Sequence, residues 1–182
     1  MVERALLEGQ RPEWVILDRD YRSAAELTRT KTEFSRLEIK CHIWKQKELE
    51  SYLLVPRAIA KRSGADEDWV VTQLASIADG MKTLVQSAMG SARQARERDQ
   101  SRREQVLLEA LSDFDTLWAN ETRRLDLCPA KNVLSQLNRR LQADGMKAVS
   151  GVGLAREIRR AEIAGEMATL INEIEEQIRA TQ

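Results

Sequence analysis

The chain has 182 residues, enough for one domain or for a compact domain with a helical annex. Its 29 Lys and Arg residues balance 29 Asp and Glu residues. This excludes a protein that coats nucleic acid through an overall positive charge, but it permits a local basic face. With 32% charged and only 4% aromatic residues, the composition favours a helix-rich protein over an all-β one.

The chain is predicted to begin with a short helix over residues 2 to 9, followed by a strand over 14–18. The consecutive apolar residues 15–17 fill that strand. An unbroken apolar run is typical of a strand that is buried on both faces of a sheet. In such sheets, functional side chains gather beyond the carboxyl ends of the strands. The residues after position 17 are therefore candidates for a functional site.

Asp18 and Asp20 are the acids at that end. If strand geometry continues to Asp20, both side chains point to the same side of the sheet. Two close carboxylates stay ionised best beside a divalent cation, so the pair predicts a Mg²⁺-type site with hard oxygen ligands. A polar turn after the strand explains the same residues equally well, because Asp is common in turns and at helix N-caps.

A helix and a second strand are predicted next. Ser23 and Glu26 have the spacing of a capping box, which marks a helix start. Residues 37–44 alternate apolar and polar side chains, as a strand does. Two strands joined by one helix form a βαβ unit, which is expected to be parallel and right-handed.

Glu48 and Glu50 form a second acid pair just beyond the second strand. Asp18 and Glu48 are about one βαβ crossover apart in sequence, so adjacent parallel strands would bring both pairs to one edge of the sheet. Two acid pairs at one edge predict a site for two divalent cations that hydrolyses phosphodiesters. Taken alone, Glu48 and Glu50 are explained better by an exposed helical turn, where Glu is common.

Proline, glycine and acidic residues divide the remaining chain into predicted helices. Pro56 opens a helix over 57–62, and the acidic run 66–68 begins a helical pattern that continues to about 126. The charged stretch 93–104 has both signs and predicts a solvated helix face rather than a DNA-binding surface. The last predicted features are a helix through 133–141, a loop at Gly145, Gly151 and Gly153, and helices over 154–160 and 163–180.

Lys131 lies at a predicted helix start, just after Pro129 and Ala130. The helix dipole slightly disfavours a cation there, which suggests a specific role such as pairing with a phosphate oxygen. From these residues alone, a solvated lysine is the preferred interpretation.

Cys41, Cys128 and the single histidine, His42, match no zinc-site spacing. Two free thiols, one of them Cys41 in an apolar run that predicts burial, suit a reducing compartment. His42, beside strand residues, is expected to be structural. No signal peptide or transmembrane run is recognised, so the predicted location is the cytoplasm, with no membrane partner.

The residues around the two acid pairs resemble the Toprim nuclease domain of the overcoming-lysogenization-defect (OLD) family. The resemblance rests on ILDRDYRS at 16–23, on HIWKQKELESYLLVPRAIA at 42–60, and on a late segment, 130–138, which is similar to the family's Gly-Lys-x-x-Leu motif. The tail segments 154–158 and 162–167 also resemble the terminal helices of such proteins. Together these matches span most of residues 12–178.

The resemblance implies a site and a set of partners. Asp18 and Asp20 would ligate a metal, and Glu48 and Glu50 would complete a second metal site. Lys131 would assist at the scissile phosphate, with Asp18 as the other catalytic residue. The implied cofactor is Mg²⁺ or Mn²⁺, and the implied substrate is nucleic acid, expected to be DNA, in anti-phage defence. Tyr52 and Leu53 are expected to dock the Glu-x-Glu turn to the core.

The chain departs from the family pattern at three points. No strand that ends in a glutamate precedes Trp14, since Glu3 and Glu8 fall on the predicted first helix. No Walker A motif of an ABC-type ATPase occurs, and Ala130 replaces the usual glycine. We therefore expect the chain to be the C-terminal part of a larger protein or one piece of a split one. A partner, or a second copy, would then complete the fold, and the chain alone would be poorly soluble.

The predicted fold class is α/β: a partial Toprim-like βαβ parallel sheet over 1–62, followed by a large, mostly helical portion over 63–182 that carries the late lysine motif. Two functions are kept open. The first is a metal-dependent nuclease module of an OLD-like ATPase-nuclease. The second is a non-catalytic interaction subunit or remnant that keeps the fold and binds a partner chain. A plain helical bundle with a βαβ cap would explain the composition but not the ordered acid pairs.

Overall fold

The protein is mostly helical, with a small parallel sheet at one end of the chain. A computed structural model describes residues 14–180, and the predicted helix over 2–9 lies outside this range. Strand β1 (Trp14–Leu17) pairs in parallel with β2 (Lys40–Ile43), and helix α1 (Ala24–Arg36) connects them. The predicted parallel βαβ unit is therefore confirmed.

Helix α1 begins where the capping box predicts. The Ser23 hydroxyl accepts a hydrogen bond from the Glu26 amide, and the Glu26 carboxylate accepts one from the Ser23 amide. The second strand is shorter than predicted, because Glu38 adopts a left-handed conformation with a φ of 58° and strand geometry begins only at Lys40.

Beyond β2 the chain forms helices and short turns. A 3₁₀ helix, Leu49–Leu53, is followed by α2 (Pro56–Ser63), which ends at Gly64 with a left-handed φ of 83°. Asp66 then caps α3 by accepting a hydrogen bond from the Trp69 amide. The later helices are α3 (Glu67–Gly80), α4 (Lys82–Arg96), α5 (Arg103–Trp118), α6 (Arg124–Leu127), α7 (Ala130–Ala143), α8 (Gly151–Glu157) and α9 (Gly165–Ala180).

One hydrophobic cluster fills the space between these helices. Its members come from α2, α3, α4, α5, α7 and α8, and the largest fully buried side chains include Phe114, Ile59, Ile77, Met81, Met89, Leu137 and Leu141. Tyr21, from the loop after β1, and Leu54, before α2, belong to the same cluster. The core therefore joins the sheet end of the chain to the helices, and the predicted division near residue 62 stays a prediction.

Burial of β1 is the first prediction that is wrong. Val15 is buried, but the neighbouring Ile16 is 45% exposed, so the strand is not covered on both faces by residues 14–180. Helix α9 contacts β1 at Trp14, whose Nε1 donates a hydrogen bond to Gln177, but it leaves Ile16 exposed. Cys41 is also only partly buried, whereas Cys128 is buried, and both thiols are free.

Two predictions about helix boundaries are also wrong. Gly151 and Gly153 lie in α8 rather than in a loop, because the Ser150 hydroxyl accepts a hydrogen bond from the Gly153 amide and caps the helix. The charged stretch 93–104 is not one solvated helix face, since α4 ends at Arg96 and Arg93 is buried. Within the described range, no helix is both long and apolar enough to span a membrane.

Candidate functional site

The loop after β1 turns sharply at the first acid pair. Strand geometry stops at Leu17, and Asp20 and Tyr21 have left-handed φ angles of 45° and 59°. The condition for the sequence prediction, a strand that continues to Asp20, is therefore not met. Arg22 Nη1 holds the turn by donating to the Asp18 carbonyl oxygen at 2.6 Å.

Two hydrogen bonds bring this loop against the segment that follows β2. The Asp20 amide donates to the Lys47 carbonyl oxygen at 3.1 Å. Asp18 Oδ1 accepts a hydrogen bond from the Leu49 amide at 3.0 Å. The two predicted acid loops therefore meet at the carboxyl ends of the paired strands, as the βαβ argument predicts.

Lys47 links the two acid pairs electrostatically. Its Nζ lies 2.7 Å from Glu48 Oε2 and 3.9 Å from Asp20 Oδ1. The lysine side chain is only 12% exposed, and its ammonium group lies over the Tyr21 ring, 5.3 Å from the centroid. The sequence comparison included Lys47 in the Glu-x-Glu motif but assigned it no role. In the sequence Lys47 adjoins only Glu48, so no local pattern indicates that its ammonium group also reaches Asp20.

Glu48 also holds the start of α7. Its Oε1 accepts a hydrogen bond from the Ala130 amide at 2.6 Å, and its side chain is 13% exposed. The helix has no side-chain cap of its own, since Pro129 occupies the N-cap position. A carboxylate at this position satisfies one free amide and interacts favourably with the helix dipole.

Lys131 and Glu50 form the outer part of the site. Lys131 Nζ lies 3.3 Å from Glu50 Oε1, and the two side chains are 79% and 42% exposed. A hydrogen bond from its own backbone amide, and then the Lys131 ammonium, hold the pKa of the Glu50 carboxyl below its usual range. Glu50 is therefore ionised at neutral pH, and Lys131 is open to solvent. All five predicted site residues thus lie in one connected set of contacts, although their catalytic and ligand roles stay predictions.

The carboxylates are not arranged as a metal centre. Among residues 14–180, no group of three or more His, Cys, Asp or Glu side chains is close enough to hold a metal ion. Hard oxygen ligands suit Mg²⁺ chemically, but both oxygens of Glu48 and one of Asp18 already accept hydrogen bonds or pair with Lys47. In this arrangement the donor set does not fit a bound metal, because a lysine lies where two of the acids meet.

Glu166, near the start of α9, is a buried carboxylate at the same end of the sheet. Its side chain is 8% exposed, and its Oε1 lies 3.2 Å from His42 Nε2. It accepts a hydrogen bond from the Lys45 amide at 3.1 Å and another from the Tyr52 hydroxyl. Burial and the Glu166 contact raise the pKa of Tyr52, so the phenol stays protonated and donates. The sequence does not indicate that Glu166 binds the segment after β2, because its partners there are more than a hundred residues away along the chain.

The contacts of Glu166 with Lys45 and Tyr52 hold the Glu-x-Glu segment against α9. The Tyr52 ring packs at a tilt against Trp44 at 5.3 Å, and Leu53 packs against the hydrophobic core. On the other side, the buried Tyr21 donates from its hydroxyl to the Leu127 carbonyl oxygen at 3.0 Å. Both acid loops are therefore fastened to the helical part of the chain by aromatic side chains.

Comparison of the chain with protein-family models, with curated proteins and with solved structures finds no match. The geometry of the site itself is therefore the basis for a functional proposal.

Proposed function

We propose that the chain is a Toprim-type, metal-dependent nuclease module of an OLD-like ATPase-nuclease in anti-phage defence, with DNA as its substrate. The observation that carries the proposal is the meeting of three distant segments at one sheet edge. Asp18 and Asp20 come from the first, Glu48 and Glu50 from the second, and Lys131 from the third. A structural role alone does not require a carboxylate or a lysine at every one of these positions.

The residues of the chain suit contact with a phosphodiester in defined ways. The Lys131 ammonium is 79% exposed and can bind a phosphate oxygen. Mg²⁺ or Mn²⁺ is the proposed cofactor, and its binding requires that Lys47 leaves Glu48 and Asp20. In the arrangement described here, the Lys47 ammonium lies 2.7 Å from Glu48 Oε2 and 3.9 Å from Asp20 Oδ1, so it places a positive charge between these two acids.

Nicking of supercoiled plasmid in Mg²⁺ or Mn²⁺ tests this function. We expect the chain, with the partner or preceding segment that completes its sheet where one is needed, to nick the plasmid. Asp18→Asn and Lys131→Gln should each reduce the rate by at least about a hundredfold. Glu176→Gln is the matched control, because Glu176 is exposed on α9 and has no side-chain partner among residues 14–180. Cleavage that is independent of metal, or that Asp18→Asn leaves unchanged, would rule out the proposal.

A second candidate is a non-catalytic interaction module, and the contacts of Lys47 and Glu48 favour it. They give the acids structural roles, since Lys47 neutralises two of them and Glu48 caps α7. The free edge of β1 among the described residues, next to the exposed Ile16, would then receive a strand from a partner chain. In that case Asp18→Asn would lose stability, because it weakens the hydrogen bond from the Leu49 amide, and no metal-dependent nicking would occur in the wild type or in either variant.

A further inference from the structure

A cleft of about 710 Å³ lies between α1, the end of α4 and the start of α5. Among its lining residues, arginines outnumber glutamates by six to four. The arginines are Arg22, Arg29, Arg93, Arg96, Arg98 and Arg102. In a chain with no net charge overall, this is a local concentration of positive charge.

Two of the arginines are neutralised within the fold. Arg93 pairs with Asp113 and donates from its Nε to the Tyr21 carbonyl oxygen at 2.8 Å. Arg96 pairs with Glu26 at 2.7 Å. Burial alone would raise the pKa of the Glu26 carboxyl, but the hydrogen bonds from Arg96 and Ser23 hold it below its usual value. These two arginines therefore stabilise the walls of the cleft, and their charges are balanced by Asp113 and Glu26.

Of the other four arginines, Arg22 donates to the Asp18 carbonyl oxygen, and three remain available. Arg29 and Arg98 are exposed, and neither side chain forms a hydrogen bond or ion pair with any residue of the described part of the chain. Arg102 is 59% exposed and lies 4.0 Å from Glu97, the limit of an ion pair. Unpaired guanidinium groups on opposite sides of a cleft can bind an anion from two directions.

The cleft is attached to the backbone of the candidate site. Arg22 donates to the Asp18 carbonyl oxygen at 2.6 Å, and Arg96 donates to the Asp20 carbonyl oxygen at 3.2 Å. Both arginines also line the cleft. Two arginines therefore connect the cleft to the loop that carries the first acid pair.

The lining indicates which kind of anion fits. Its apolar members are only Ala25, Ala95 and Val106, and it has no aromatic side chain on which a base could stack. We propose that this cleft binds the sugar-phosphate backbone of a nucleic-acid strand that runs toward the Asp18–Asp20 loop. The inference rests on the proposed nuclease function and gives its substrate a path to the site.

Fluorescence anisotropy of a labelled single-stranded oligonucleotide, in EDTA and at about 50 mM salt, tests the inference. The double variant Arg29→Gln, Arg98→Gln should weaken binding at least about tenfold. It should also reduce the slope of log affinity against log salt by about 1.4, the value for two lost phosphate contacts. The control, Arg156→Gln with Arg160→Gln, removes the same charge from exposed arginines that line no part of the cleft.

Three results would overturn the inference: no binding by the wild type, equal weakening by both double variants, or displacement of the oligonucleotide by ATP or inorganic phosphate at the same phosphate concentration. The last result would make the cleft a site for small phosphate compounds. Because EDTA removes the metal, binding is measured without hydrolysis. If the variant Arg29→Gln, Arg98→Gln loses oligonucleotide binding but nicks plasmid at the wild-type rate, the cleft does not bind the substrate of the nuclease. If the wild type binds the oligonucleotide through the cleft but nicks no plasmid, the nuclease function is rejected.

Discussion

Glu48 is the residue on which the geometry of the site depends most. Its carboxylate accepts a hydrogen bond from the Ala130 amide and pairs with Lys47, and it is mostly buried. It thus brings negative charge to a helix start that has no cap from its own neighbours. This contact also explains how Lys131 is tolerated at the start of α7, where a cation alone is unfavourable.

We predict that Glu48→Ala lowers the free energy of unfolding by about 1–3 kcal/mol, because it removes the helix contact and leaves Lys47 with its nearest acid missing. Glu50→Ala removes an exposed ion pair and should cost no more than about 0.5 kcal/mol. Urea denaturation of the two variants and the wild type measures both values. Equal losses would show that Glu48 has no special structural role.

Stability at acidic pH should depend on Glu162. Hydrogen bonds from Arg57, and then from the Arg159 amide, lower the pKa of this carboxyl to about 2, from an ordinary value of 4.5. A lowered pKa means that the contribution is fully present above pH 4.5 and is lost as the pH falls toward 2. Glu162→Gln should therefore reduce stability at pH 6 and make the loss between pH 4.5 and 2 shallower.

Thermal unfolding of Glu162→Gln and the wild type across this pH range checks the prediction. Glu176→Gln is the control, since Glu176 is an exposed glutamate with no partner among residues 14–180. A difference between Glu162→Gln and the wild type that is constant from pH 6 to pH 2 would contradict the assignment.

At the scale of elements, local signals predicted helix starts well. These signals act within three or four residues: the capping box of Ser23 and Glu26, the proline at position 56 and the acidic run that begins at Asp66. Each of them stands at a helix start in the structure. Ser23, Glu26 and Asp66 form hydrogen bonds with their own neighbours in sequence, and Pro56 acts through its ring, which fixes φ near the helical value. This is why they can be recognised without knowledge of the rest of the fold.

Signals that depend on distant contacts were not predictable. Arg93 is buried because it reaches Tyr21 and Asp113, and nothing in the charged stretch 93–104 indicates this. The exposure of Ile16 depends on which elements cover the sheet, and the apolar run 15–17 contains no information about those elements. The meeting of the acid pairs was predictable from strand order, but the position of Lys47 between them was not.

The packing of α4 against α5 gives a prediction about two glycines. A Cβ atom on Gly90 would lie 2.7 Å from Leu107 Cδ1, whereas one on Gly80 would meet nothing within 4 Å. Gly80→Ala should therefore gain up to about 1 kcal/mol from helix propensity. Gly90→Val should destabilise by about 1 kcal/mol more than Gly80→Val, because Leu107 Cδ1, at the end of a flexible side chain, must shift.

Chemical denaturation of the two variants measures this difference. Gly80→Val serves as the control for the β-branched side chain, which is unfavourable in a helix by itself. If Gly90→Val and Gly80→Val lose the same stability, close packing at Gly90 is not the reason for the glycine.

At the scale of the whole molecule, the candidate site lies where the sheet and the helices meet. Tyr21 belongs to the hydrophobic core and also to the acid loop, and its hydroxyl binds the Leu127 carbonyl oxygen. Glu48 contacts α7, and Glu166 brings α9 to the end of β2. The site is therefore held by both parts of the chain, and its geometry should be lost if either part unfolds.

We propose that the acids that pair with Lys47 bind a divalent cation once this lysine is replaced. Electron paramagnetic resonance of free Mn²⁺, titrated with the chain, tests it most directly. We predict that Lys47→Gln binds Mn²⁺ several times more tightly than the wild type, that the control Lys82→Gln does not, and that Asp18→Asn with Glu48→Gln abolishes the binding. Equal affinity in Lys47→Gln and the wild type, or binding that survives loss of both carboxylates, would contradict the claim.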